Sequence, residues 1–138
     1  MKTARYSNKL INNEKYIPIQ ISLGFPKFRL QYTVVGKMLM LAPEYSLLRV
    51  NNENEYQRKY IERLEYIGID RIKHALSSFS QQGKEIVLLC FEDITKDGQW
   101  CHRRMFADWY ESKTGEKIDE LEESSIYRTK KPIQLTFF

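Results

Sequence analysis

Cysteine is scarce in this chain of 138 residues, with only Cys90 and Cys101 present. That excludes the small scaffolds in which disulfides stand in for a core. No apolar run approaches the ~20 residues that a membrane helix needs, so no transmembrane segment is expected. The opening MKTARYSNKLINNEK lacks the apolar centre of a secretory signal, and a cytoplasmic location is expected. In that reducing compartment both cysteines are expected as thiols. Internal repeats and a domain boundary are lacking too, which leaves one domain over 1–123 and a tail over 124–138. Charge of one sign is in small excess: 22 Lys and Arg against 18 Asp and Glu give a net +4. This permits a nucleic-acid or nucleotide partner without requiring one.

What is present is the composition of a core. The hydrophobic fraction of 42% and aromatic fraction of 13% exclude disorder. At this length one core buries roughly two-thirds of the unfolded surface.

Along the chain, YIPIQISL over 16–23 reads as a strand stopped by Gly24 and Pro26. Pro18 is expected near its start, because an interior proline deletes a ladder hydrogen bond. Residues 27–40 alternate at Phe28, Leu30, Tyr32 and Val34 before KMLML breaks the pattern, which predicts a long connection. The spacing of Tyr56, Tyr60, Ile61 and Leu64 predicts an amphipathic helix over 52–66, closed by Gly68. A second helix is expected after a cap at Asp70, with Ile72, Ala75, Leu76 and Phe79 inward. EIVLLCF over 85–91 has the near-continuous apolar character of a central strand covered on both faces. A third helix is expected from Cys101 to Lys113, and KIDEL over 117–121 as a short strand or turn. Alternating strands and helices predict an α/β fold, a three-layer sandwich with a mainly parallel sheet flanked by helices.

In such a sheet ligands gather at the carboxyl ends of strands. Cys90 and Glu92 fall there, and Cys101, His102 and Arg103 open the next helix, whose positive end attracts phosphate or carboxylate. Helical geometry makes Arg104 a solvated partner of Asp108 and leaves Arg103 and His102 as ligand candidates. Their plainer role is to cap loop carbonyls. Cys101 at a helix start beside His and Arg is a candidate nucleophile. Cys90 in its apolar strand reads as small core filling. Zinc would need Cys90, Cys101 and His102 to converge, yet sequence neighbours on a helix diverge by about 100°, whereas paired helical ligands sit three or four apart. No metal and no cofactor is therefore expected. Tyr56 and Tyr60, one turn apart, could stack a base or line the core edge. Glu92 could accept from a ligand or pair with Arg103.

LLCFED followed by CHRRMFADW resembles the signature of the DUF488 family, small proteins of unknown function. ISLGFPKF, LAPEYSLL and NEYQRKYIERL resemble it in the same order, so the likeness spans most of the chain. It implies a compact α/β fold and a shared pocket of Ser22, Gly24, Tyr56, Tyr60, Cys90, Glu92, Cys101, His102 and Arg103. It carries no reaction with it.

The terminal QLTFF resembles the peptide by which bacterial replication and repair proteins dock on the DNA polymerase sliding clamp. Gln134 would make polar rim contacts, Leu135 would fill one subsite, and Phe137 with Phe138 a deep apolar pocket. The competing reading is a last edge strand with Ile133, Leu135 and Phe137 on one face. The leading expectation is thus a DNA-transaction accessory, binding or processing a nucleotide or nucleic acid at the Cys-His-Arg helix start. In that case Glu92 or His102 would be the acid/base and Cys101 an alternative nucleophile. A non-catalytic nucleotide or small-ligand sensor and a cysteine-dependent enzyme of small-molecule metabolism are the alternatives.

Overall fold

A strand apolar along its length must be covered on both faces, and the run from Ile86 to Cys90 lies in the middle of the sheet. In a computed structural model, residues 1–122 are described. The elements are β1 (Lys2–Arg5), β2 (Tyr16–Gln20), β3 (Gly36–Lys37), α1 (Glu53–Ile67), α2 (Ile69–Ser77), β4 (Glu85–Cys90), α3 (His102–Thr114) and β5 (Asp119–Glu120). Two 3₁₀ turns, Leu39–Leu41 and Tyr45–Arg49, precede α1. The tail expected over 124–138, with Gln134, Leu135, Phe137 and Phe138, lies outside the described residues.

Among the described residues the sheet has five strands in the order β3-β2-β4-β1-β5, all parallel. The α/β class expected from the alternation is therefore observed. Both helical crossovers, β3 to β4 and β4 to β5, advance across the sheet in one direction. The right-handed rule then sends them to the same face. On that face the helices bury Tyr60, Leu64, Ile72, Phe106 and Trp109 against Ile17, Ile19 and Leu88. The connections β1 to β2 and β2 to β3 advance the other way and cover the opposite face without helices. There Ile11, Leu30, Tyr32 and Val34 pack on Ala4, Val87 and Leu89. The third layer is therefore irregular chain, and the helices form one layer.

β1 escapes the pattern reading because KTAR has a single apolar residue. It is held by pairing with β4 on one side and β5 on the other. Pro18 is the third residue of β2 rather than its start. Its carbonyl accepts from Val35 N at 3.0 Å, so its missing donor faces the edge where β3 has not yet begun. The α1 reading holds at both ends: the Asn52 side chain accepts from Glu55 N, and Gly68 takes φ 90° to stop the helix. Gly68 also serves as the N-cap of α2, which corrects Asp70 from cap to first-turn residue, where its charge complements the helix dipole.

Candidate functional site

β4 runs out at Cys90 with the thiol on the helical face, two residues beyond Leu88. The loop 91–100 then returns the chain, and Cys101 is the N-cap of α3. Its backbone is extended, φ −147° and ψ 144°, so its side chain does not follow the helical step to His102. The expected divergence of these neighbours is thereby corrected. Cys90 Sγ and Cys101 Sγ lie 3.6 and 3.8 Å from His102 Nδ1. The three ligating atoms are all within 4.8 Å of one another. Cys90 Sγ also donates to Glu92 Oε2 at 3.3 Å.

His102 Nε2 lies 2.7 Å from the Ile21 carbonyl oxygen, which can only accept. Nε2 therefore carries the proton, and Nδ1 turns its lone pair to the sulfurs in the neutral ring. The carbonyl-capping role is thus real for His102, and it orients the ring for a second task. The Tyr60 ring meets the imidazole edge-on, centroids 5.5 Å apart.

Burial opposes ionisation of both thiols. At Cys101 the hydrogen bond from Cys90 and the charges of Arg103 and His102 outweigh it and hold that thiol well below the ordinary range. Cys90 is pushed up by burial and by the thiolate next to it. His102 is held up despite its burial, chiefly by the Cys101 thiolate. Burial raises the Glu92 carboxyl, with the Cys101 charge adding to it.

Arg103 is not a free anion ligand. It is fully buried and paired with Glu120, Nη2 to Oε2 at 2.8 Å and Nε to Oε1 at 3.0 Å. The pairing partner is thus Glu120 and not Glu92. Its Nη1 is buried and has no acceptor among the described residues. Arg104 is not a solvated partner of Asp108 alone: its Nη1 donates to Thr3 Oγ1 at 2.8 Å and to the Ile118 carbonyl at 3.0 Å, tying α3 to β1 and β5.

The remaining expected pocket residues divide. Ser22 Oγ donates to the Gly24 carbonyl at 2.7 Å and so accepts from Tyr6 OH at 2.6 Å, which spends its hydroxyl on the loop. A Cβ at Gly24 would meet only Phe91, at ordinary contact distance, so nothing there demands glycine. The Tyr60 hydroxyl donates to the Leu41 carbonyl at 2.6 Å and is structural. Tyr56 packs on Trp100, centroids 4.7 Å apart, and burial raises its hydroxyl above its ordinary range, with the nearby Cys101 charge adding to the effect. Sequence reasoning missed Tyr6, Ile21 and Glu120. The register offered one signal for Glu120, since it stands two residues after buried Ile118 on a period-two strand.

A cleft of about 350 Å³ lies at the other end of the sheet, lined by Met1, Ile17, Lys73, Leu76 and Glu85 among others. It brings no thiol or imidazole together, and the chemistry lies at the carboxyl edge. No family model, no curated protein and no solved structure matches this chain, so the site rests on its own geometry.

Proposed function

We propose that the protein is an accessory of DNA replication or repair, a DUF488-like domain that processes a nucleotide or nucleic acid at the start of α3 and is addressed to the sliding clamp by QLTFF. The observation that carries the reading is the convergence of Cys90, Cys101, His102 and Glu92 where an α/β sheet holds its ligands. Glu92 is partly exposed and is the group placed to take a proton from an attacking water. Hydrolysis then leaves the hydroxyl on the electrophilic atom, and Glu92 returns the proton to the leaving group. Phe25 and Phe91, 53% and 41% exposed, lean on Tyr6 at the same edge and offer faces for a base. The net charge of +4 favours a polyanionic partner. β5 runs parallel to β1, so it points towards the edge that holds the site.

Two measurements test the two halves. Full-length protein is expected to be retained on immobilised bacterial clamp while a chain lacking the last five residues washes through. Equal retention overturns the recruitment. Incubation with nucleotides, nucleosides and short DNA, read by mass spectrometry, is expected to give product at a rate that Glu92→Gln lowers about 100-fold or more. An unchanged rate in that variant, or no product from the panel, overturns the chemistry.

A further inference from the structure

Two sulfurs from different elements, those of Cys90 and Cys101 at only 3% and 2% exposed, are buried against one ring nitrogen. With Nε2 committed to the Ile21 carbonyl, Nδ1 keeps its lone pair towards them. Three ligating atoms so placed form the donor set of a soft metal ion. Zinc bonds to sulfur at about 2.3 Å and to imidazole nitrogen at about 2.0–2.1 Å, and a tetrahedron of those lengths sets sulfur and nitrogen about 3.6 Å apart. The observed separations are 3.6 and 3.8 Å. We infer that Cys90, Cys101 and His102 are three ligands of a zinc site whose fourth position faces Glu92.

The surroundings fit a cation of that charge. Two thiolates cancel zinc, and the nearby Arg103 guanidinium is already balanced by Glu120. The Nε2–H bond to a backbone carbonyl is the outer-sphere contact that fixes the tautomer of a zinc-bound imidazole. Two thiolates and one imidazole select zinc over the hard oxygen-seeking cations. Glu92 Oε2 is 3.3 Å from Cys90 Sγ but lies outside the close group of three ligating atoms, so it would meet the remaining vertex through a water. Three protein ligands with one position left for water is the catalytic class of zinc site, and a bound ion would polarise that water. This last step rests on the hydrolytic reading above; the binding of zinc does not.

The test uses the full chain. Purified without chelator, it is expected to carry about one zinc per chain by elemental analysis. After stripping, added cobalt(II) is expected to give a sulfur-to-cobalt charge-transfer band in the near ultraviolet with tetrahedral bands in the visible. Because Cys90 and Cys101 are the chain's only cysteines, a mercurial titration of the unmodified protein should release the ion as both thiols react. That result needs no variant to fold. Cys90→Ser is expected to lose the cobalt band at an unchanged circular dichroism spectrum. A folded chain that takes up neither ion, or binds cobalt without the sulfur band, overturns the inference. Metal uptake is read without clamp or nucleotide, so a negative here leaves those assays standing, and a negative there leaves the zinc result standing.

Discussion

Arg103 holds its charge at zero exposure, and its ion-pair partner is one carboxylate, Glu120, itself 8% exposed. Removing one member of such a pair leaves an uncompensated charge in the interior. Glu120→Ala is therefore expected to destabilise the fold by about 3–5 kcal/mol in urea or guanidinium unfolding. Arg103→Met/Glu120→Leu, which removes both charges, should lose less than the single variant. An equal or larger loss would mean that the pair itself, and not the orphaned charge, is what matters. Asp108 on α3 poses the opposite case, since burial pushes its carboxyl up to about 6 while Arg104 pulls it down. The folded protein then holds the proton more tightly than the unfolded chain, whose aspartates titrate near 3.9. Asp108 thus contributes stability fully below about pH 4 and loses it as pH rises through about 6. Asp108→Asn is expected to match the parent near pH 4 and to exceed it by about 1 kcal/mol at pH 7, once screening of this partly exposed group is allowed for. A stability difference that does not change between those pH values would show that the shift is absent.

At the scale of elements, β3 has two residues and depends on a close approach. A Cβ built on Gly36 would run into the Phe79 ring and lie 3.3 Å from Ile19 Cδ1. Gly36→Ala should cost about 1–3 kcal/mol by overpacking, and Phe79→Leu in that background should recover part of the loss. Unfolding midpoints of the four proteins in the cycle check this, and strict additivity would exclude the contact as the cause. The elements legible in the sequence are those whose own periodicity demands burial. The Tyr56, Tyr60, Leu64 stripe gives α1, and the run from Ile86 to Cys90 gives β4. β1 and β3 carry almost no apolar signal and exist through their ladders, so no window on their own residues reveals them, while β5 falls within KIDEL, which reads as a short strand or turn. The site follows the same division. Cys90, Cys101 and His102 stood out by type and position, but their convergence depends on the extended backbone of Cys101, a cap geometry that a helical wheel begun at that residue misplaces. Arg103 stood out as well, while its partner lay hidden in the acidic stretch around Glu120.

Across the whole molecule, strand order explains what the residues alone leave open. The helices share one face because both helical crossovers advance the same way, and that places α3 over the carboxyl ends of β1 and β4, where its first residues meet Cys90. The same order sets β1 between β4 and β5, and the bond from Thr3 to Glu120 spans 117 positions. During synthesis, then, β1 is left with bare edges until β4 emerges on one side and β5, near the end of the described chain, on the other. Contacts so distant in sequence make for slow closure, and a waiting strand is a hazard to its neighbours on a crowded ribosome. The composition of β1 suits that wait. KTAR presents lysine, threonine and arginine around a single alanine, a strand too charged and too poor in apolar surface to pair readily with another nascent chain.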